Sequence, residues 1–302
     1  MKSKSSAQAG ATKLPVEISH PDKVFWPEEG YTKLDLANFY AMVFPKLAPY
    51  VKGHLLTMER CPDGMAGQCF YQKQAPKALP AGTPTKKIKG STRITEYIVG
   101  GSLSTQLALV NFGCIAIHAM PGREGAPHES DWLCFDLDPE SGNFADAARA
   151  GIFVKELLDS IGLTSFPKTS GSRGLHIFVP LKAKHDADDV LKFAHQVANA
   201  VAAAHPKETT TEHSIAARKG RVYIDPFRNG FAQTVVTPYS VRRKPHAPVS
   251  TPLDWAEIKP TLDPAKFNIG NFAQRLEALD PWENYSRSRQ SLAAAAKKLA
   301  KV

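Results

Sequence analysis

Apolar residues along this chain fall into two patterns. In YTKLDLANFYAMVFPKLAPYV (31–51), Leu36, Tyr40, Val43 and Leu47 recur at helical spacing and share one face. FADAARAGIFVKELLDSIG (144–162) predicts a second helix, with Asn143 as its N-cap and Gly162 as its stop. ADDVLKFAHQVANAVAAAH (187–205) predicts a third, and SLSTQLALVNFG (102–113) a short one capped by Ser102 or Ser104. The other pattern is short, apolar and bounded by turn residues, and it predicts strands. HLLTMER (54–60) and QCFYQK (68–73) are such runs, separated by the turn CPDG. STRITEYIVG, CIAIHAM (114–120), DWLCFDLDP (131–139), RVYIDPF and QTVVTPYSVR are others. FPKTSGSRGLHIFVPL (166–181) predicts strand, tight loop, strand, while QAPKALPAGTPTKKIKG (74–90) predicts an exposed basic loop.

Strands interleaved with long helices predict an α+β (mixed α/β) protein with one main sheet region. Hairpin-length loops favour a mostly antiparallel or mixed sheet. No internal repeat is visible, and 302 residues fit one or two domains. Residues 1–13 are polar and basic and are expected to be a disordered tail. Residues 286–302 are expected to be a basic helix or a loosely attached tail. No run approaches the ~18 apolar residues of a membrane helix, and the N-terminus has no apolar core of a secretory signal. None of the four cysteines has CxxC spacing, so zinc is not expected. Cys114 and Cys134 sit in apolar runs as small hydrophobes, and a reducing cytoplasm fits best. A formal net charge of +9 points to a polyanionic partner, nucleic acid first, against the plainer reading of a generally basic protein.

Chemistry concentrates at strand ends. Asp136 and Asp138 are one residue apart on a strand, so both carboxylates share a face while Leu137 points the other way. Pro139 then ends the strand. Unpaired, the two acids would repel, and an oxygen-ligated divalent cation such as Mg²⁺ or Mn²⁺ would remove the conflict. Taken alone, the stretch reads more readily as a solvated acidic turn at a strand end. Asp225, in VYIDPFRNG, repeats the pattern and supplies a third acid. TSGSRGLHIF offers Ser170, small residues and Arg173 as a possible phosphate cradle without P-loop spacing, and His176 begins the next strand within reach of the same ligand. His118 closes an apolar strand, and Arg242, Arg243 and Lys244 follow another. Each of these has a structural reading as well.

In this order, NFGCIAIHAMPG, DWLCFDLDP, KTSGSRGLHIFVPL, DPFRNGFAQTVVTPYSVR and PVSTPLDWAEI resemble the polymerase domain of bacterial DNA ligase D, within the archaeo-eukaryotic primase superfamily. The opening SHPDKVFWPEEGYTK is similar to that family's start, and the likeness runs from about residue 14 to residue 285. It implies a primase-like fold with an N-terminal α/β subdomain, forming one catalytic domain over 14–285. It implies a nucleotidyltransferase of bacterial non-homologous end joining that fills gaps and extends DNA ends, prefers ribonucleotides over dNTPs, and uses Mn²⁺. On this likeness Asp136, Asp138 and Asp225 would hold two metal ions. Ser170, Arg173 and Arg242 would hold phosphates, His118 would contact the triphosphate or sugar, and Arg218 would lie near the acids. Tyr71, with Phe70 beside it, would stack on the incoming base. His20, Lys23 and Lys33 would meet the 5′-phosphate of a downstream strand. The chain departs from the family pattern at His20 (commonly Asn), at Glu59 before Arg60 (a basic residue expected), at Arg173 (Lys frequent), at Tyr71 (Phe frequent) and at DPFRN, where Arg228 has no assigned role.

The expected mechanism is two-metal phosphoryl transfer, one ion activating the primer 3′-OH and the other neutralising the β,γ-phosphates, with Asp225 favouring the first. A primase-like enzyme starting chains de novo and a non-catalytic DNA-end-binding module remain alternatives. No ligase KxDG motif is present, so a standalone polymerase or an excised domain is expected, and the resemblance implies a separate ligase and a Ku-like protein as partners.

Overall fold

The computed structural model describes residues 14–90 and 92–301. The expected N-terminal tail at 1–13 lies outside the described residues. Two sheets carry the architecture. The first holds β3 (His54–Arg60), β4 (Phe70–Gln72), β5 (Thr85–Lys89), β6 (Ile94–Val99), β7 (Cys114–Arg123) and β13 (Val235–Val236), ordered β13-β7-β3-β6-β5 with β4 also on β3. The second holds β8 (Trp132–Pro139), β9 (Phe166–Thr169), β10 (Leu175–Pro180), β11 (Thr209–Thr210) and β12 (Val222–Asp225), ordered β11-β12-β8-β10-β9. A ribbon of β1 (Val24–Trp26) and β2 (Tyr31–Thr32) precedes the first helix. The pairings in both sheets are antiparallel except β11 with β12.

Helices cover one face of each sheet. α1 (Lys33–Val51) and α2 (Leu103–Asn111) pack on the first; α3 (Phe144–Ser160) and α4 (Ala187–Ala204) pack on the second. Thr32 and Asp35 close a capping box at the start of α1, and Leu36, Tyr40, Val43 and Leu47 are fully buried, as the periodicity requires. Ser102, not Ser104, caps α2 by accepting from Thr105 N (3.0 Å), and Asn143 caps α3. Gly151 of α3 lies directly on Leu137, Leu175 and Ile177. Those residues therefore face the helices, and the alternation of β8 and β10 turns Asp136 and His176 to the opposite, uncovered face. α5 (Ile215–Arg218), α6 (Phe272–Glu277) and α7 (Leu292–Leu299) complete the chain.

Several expectations change. The single sheet region is two sheets: β7 and β8 follow one another but do not pair, each being a long buried strand inside its own sheet. Alternation in sequence shows that a strand is buried, not which strand it meets. Part of the expected loop at 74–90 is edge strand β5, anchored by buried Ile88 while Lys86, Lys87 and Lys89 stay exposed, a charged pattern that blunts the edge. In QTVVTPYSVR only Val235–Val236 forms a strand, since Pro238 lacks an N–H and Tyr239 has φ +64°; beyond them Val241 makes a single antiparallel bridge to Val249. α7 buries Leu292, Ala295 and Leu299. Cys61 and Cys69 form a disulfide across the β3–β4 turn, which runs against the reducing setting expected from cysteine usage, while Cys114 and Cys134 are free and buried. No helix among the described residues is long and apolar enough to cross a membrane.

Asp131 joins the sheets. Arg123 Nε lies 2.5 Å from its Oδ2, Arg289 3.4 Å and the buried His54 ring 3.5 Å. Burial opposes its ionisation, but the His54 contact and the Arg123 and Arg289 charges outweigh burial and hold its carboxyl well below the usual range. A carboxylate depressed in the folded state stabilises above its unfolded pKa of ~3.9 and loses that contribution as pH falls below it. Asp131→Asn should therefore melt well below the wild type at pH 7, with the gap narrowing toward pH 3; thermal melts across that range check it.

Candidate active site

The second sheet's open face carries one row of polar side chains in direct register: Lys168 on β9, His176 on β10, Asp136 on β8 and Asp225 on β12. Asp138 stands one pleat away, paired with Tyr223. Lys168 is fully buried and donates to Ser250 Oγ (2.6 Å) and His176 Nδ1 (2.9 Å). Burial lowers Lys168 to about 7, and burial together with Lys168 lowers His176 to about 4. At neutral pH His176 is thus neutral, and the Lys168 bond to Nδ1 leaves the proton on Nε2, 3.0 Å from Asp136 Oδ1. Burial opposes a charge on Asp136, but His176 and Arg228 override it and keep the carboxyl well below its usual range. That charge in turn, with burial, pushes Asp138 up to about 7. Burial also raises Asp225.

Local structure explains why the acids sit here. Pro226 follows Asp225 and starts a tight turn over Phe227–Asn229, in which Phe227 N donates to Asp225 Oδ1 (2.8 Å). Asn229 Oδ1 accepts from Cys134 N and its Nδ2 donates to Cys134 O and Pro226 O, all at 2.7 Å. The side-chain amide thus takes the place of a strand partner on β8 where β12 ends. Arg228, held between these anchors, has Nε 3.3 Å from Asp136 Oδ2 and 3.2 Å from Asp225 Oδ2.

A cavity of about 700 Å³ lies over this face and reaches the first sheet. Asp136, Asp138, His176 and Arg228 line one side; Thr57, Tyr71, His118 and Val236 line the other. Ser170, Arg173, Arg218 and Arg242 line it too. Tyr71 sets its ring edge-on to His118 with centroids 5.3 Å apart. Burial, then the Arg242 and Arg228 charges, hold His118 well below the usual imidazole value, so it is neutral. His118 Nε2 and Thr57 Oγ1 are buried without a hydrogen-bond partner. Arg218 rests 4.3 Å over the Tyr223 ring and donates to the Glu212 and His213 carbonyls. Arg242 donates to Ser170 O (2.6 Å).

The Gly/Ser loop differs in detail from a phosphate cradle. The N–H groups of Ser172 and Gly174 point to Ser170 Oγ (3.2 and 3.1 Å), so Ser170 shapes the loop. Gly171 has φ +71°, and a Cβ there would lie 2.6 Å from Arg242 Cγ and 2.9 Å from Ser250 N, so only glycine brings the loop against the Arg242 segment. Phe70 does not join Tyr71: alternation on β4 turns it away from the cavity, beside Arg60 (5.4 Å). His20, Lys23 and Lys33 lie outside the cavity lining. Lys23 pairs with Asp63 (2.7 Å) and Pro62 O (2.6 Å). Lys33 is buried and directs its ammonium to Ser19 O, Ser19 Oγ and Asn111 O; burial, then Lys23, lowers its pKa. Those three bonds use every donor a lysine has. Beyond the expected set, Lys168, Asn229, Thr57 and Lys73 take part in the site or its support. Only register or a turn brings them there.

The carboxylates suit a divalent cation. All donors are oxygens, and Asp138 and Asp136 show the like-charge conflict that a cation relieves. Among the described residues no three or more His, Cys, Asp or Glu side chains are placed together so as to hold a metal ion; Arg228 lies between Asp136 and Asp225 instead.

Residues 32–282 match the family model of the LigD primase-polymerase domain. The multifunctional non-homologous end joining protein LigD of Pseudomonas aeruginosa is 30% identical over 307 residues, covering 96% of this chain and 35% of that protein. The bifunctional non-homologous end joining protein LigD of Bacillus subtilis is 30% identical over 264 residues, covering 87% of this chain and 42% of its own length. The chain thus spans well under half of these relatives. The polymerase domain of Mycobacterium tuberculosis ligase D, solved in complex with DNA, superimposes with a TM-score of 0.85 at 28% identity, covering 92% of this chain and all of that one.

The Asn229 anchor is testable. Asn229→Ala leaves the Cys134 N–H and C=O without partners, and each such loss costs about 1–3 kcal/mol. Denaturant unfolding should show a total loss of about 2–6 kcal/mol.

Proposed function

The chain belongs to the LigD primase-polymerase domain family, and from that membership we propose that it is a nucleotidyltransferase that extends a primer 3′-hydroxyl at gaps and ends of broken DNA. One observation carries this reading. Asp136, Asp138 and Asp225 stand on one sheet, and an aromatic–histidine pair and several arginines converge on the cavity that opens over them. Asp136, Asp138 and Asp225 would hold two Mn²⁺ or Mg²⁺ ions. Bound there, the ions would supply an activated hydroxyl nucleophile and charge neutralisation at the phosphates.

The chain's own residues do the rest. Arg173, Arg218 and Arg242 bring fixed positive charge to a triphosphate in a partly enclosed space, where it acts more strongly than in open water. Tyr71 is mostly exposed and offers its ring to the incoming NTP or dNTP base. Neutral His118 beneath it offers a ring nitrogen to the sugar or phosphate without adding charge. Lys168 orients His176, and His176 holds Asp136 ionised and directed toward the cavity. A downstream 5′-phosphate would meet Lys23 by displacing Asp63, with Lys33 fixing the His20 turn through Ser19. The net charge of +9 suits DNA as the partner. A separate ligase, a Ku-like end-binding protein and a bacterial cytoplasmic setting complete the proposed role.

The test is primer extension on gapped DNA bearing a 5′-phosphate, with labelled UTP and Mn²⁺. Wild type should extend, and Asp136→Asn and Asp225→Ala should each lose at least about a hundredfold in rate, the scale of removing a group that acts on the transition state. No extension by wild type with either metal would overturn the reading. DNA affinity should fall linearly on a log–log plot against salt, as counterion release requires; a flat plot would count against a DNA backbone interface.

A further inference from the structure

We infer that Arg228 is an internal counter-ion for Asp136 and Asp225 which a divalent ion must displace, so that this one side chain sets the metal requirement of the site. The inference deepens the reading above and rests on those acids being metal ligands. Each of the two acids has one oxygen already committed. Asp136 Oδ1 faces His176 Nε2 at 3.0 Å, and Asp225 Oδ1 accepts from Phe227 N at 2.8 Å. The oxygens left over, Oδ2 of each, both face Arg228 Nε, at 3.3 and 3.2 Å. An ion that takes these oxygens must take them from the arginine.

The backbone allows the exchange. Asn229 pins the turn to Cys134 and Pro226, so Arg228 keeps its Cα while its side chain, 38% exposed, lines the open cavity. It has room to swing toward solvent without disturbing the sheet. Metal-free, it relieves two carboxylates that register forces opposite one another. With metal, a positive charge already in place must leave first, and the apparent affinity falls by the fraction of time the acids are free.

The test is Mn²⁺ binding to the full chain, counting free ion by electron paramagnetic resonance, with no nucleotide or DNA present. A charge-assisted contact of this kind corresponds to roughly ten- to hundredfold in occupancy, so Arg228→Gln should bind Mn²⁺ about that much more tightly than wild type. Arg218→Gln removes another cavity arginine, one held on the Glu212 and His213 carbonyls, and should change the affinity far less. Thermal melting in the same buffers gives a second readout. Without metal, Arg228→Gln should melt below wild type, and Mn²⁺ should close the gap. Equal or weaker Mn²⁺ binding by Arg228→Gln, an equal gain in Arg218→Gln, or a melting gap that Mn²⁺ leaves unchanged would overturn the inference while leaving the metal reading in place. Failure of wild type and Arg228→Gln alike to bind Mn²⁺ would overturn both.

Discussion

The register of β12 on β8 is the constraint from which the rest of the site follows. It sets Asp225 directly opposite Asp136, an arrangement of like charges that a sheet ordinarily avoids. The fold tolerates it because the row continues on both sides of the conflict. His176 and Lys168 extend it across β10 and β9, and Arg228 spans the two acids from the turn after β12. A one-residue slip would turn the carboxylates into the helix-packed face and Leu137 out of it. Leu137, packed under Gly151, and the Asn229 amide on Cys134 both fix that register. Chemistry and packing are thus specified by the same contacts.

The opposite wall is built differently. β3, β4 and β7 supply Thr57, Tyr71 and His118, while Arg173 and Arg242 come from irregular segments and Arg218 from the end of α5. Backbone carbonyls orient them: Ser170 O holds Arg242, and the Glu212 and His213 carbonyls hold Arg218. This leaves their charge uncancelled by carboxylates, as recognition of an anion requires. Arg243 is the contrast, because it is paired with buried Glu59 at 2.9 Å. The position where a basic residue was expected is thus an acid that holds a neighbouring arginine.

Local signals in the chain were enough for much of this. The helices over 33–51, 144–160 and 187–204 follow their apolar spacing and caps. The central strands follow their apolar runs, and the one-residue spacing of Asp136 and Asp138 places both on one face. The ordered motifs carried the family resemblance, and the residues expected at the acids, the Gly/Ser loop, His118, Tyr71, Arg218 and Arg242 do line or border one cavity. Phe70 and Tyr71 are neighbours in sequence, but alternation on β4 separates them, and Phe70 lies beside Arg60.

What the sequence by itself determined is therefore what depends on near neighbours: element type, which face a side chain takes, and which residues carry charge at strand ends. Only the tertiary structure decided partners. It split the strands into two sheets, paired Cys61 with Cys69, brought Lys168 to His176 and laid Arg228 between two acids, one of them 92 residues earlier in the chain. It also spent the Lys33 ammonium on Ser19 and Asn111. The physical reason is that spacing fixes direction along an element, whereas register and the packing of one sheet against another fix contact between elements, and those depend on the whole chain at once.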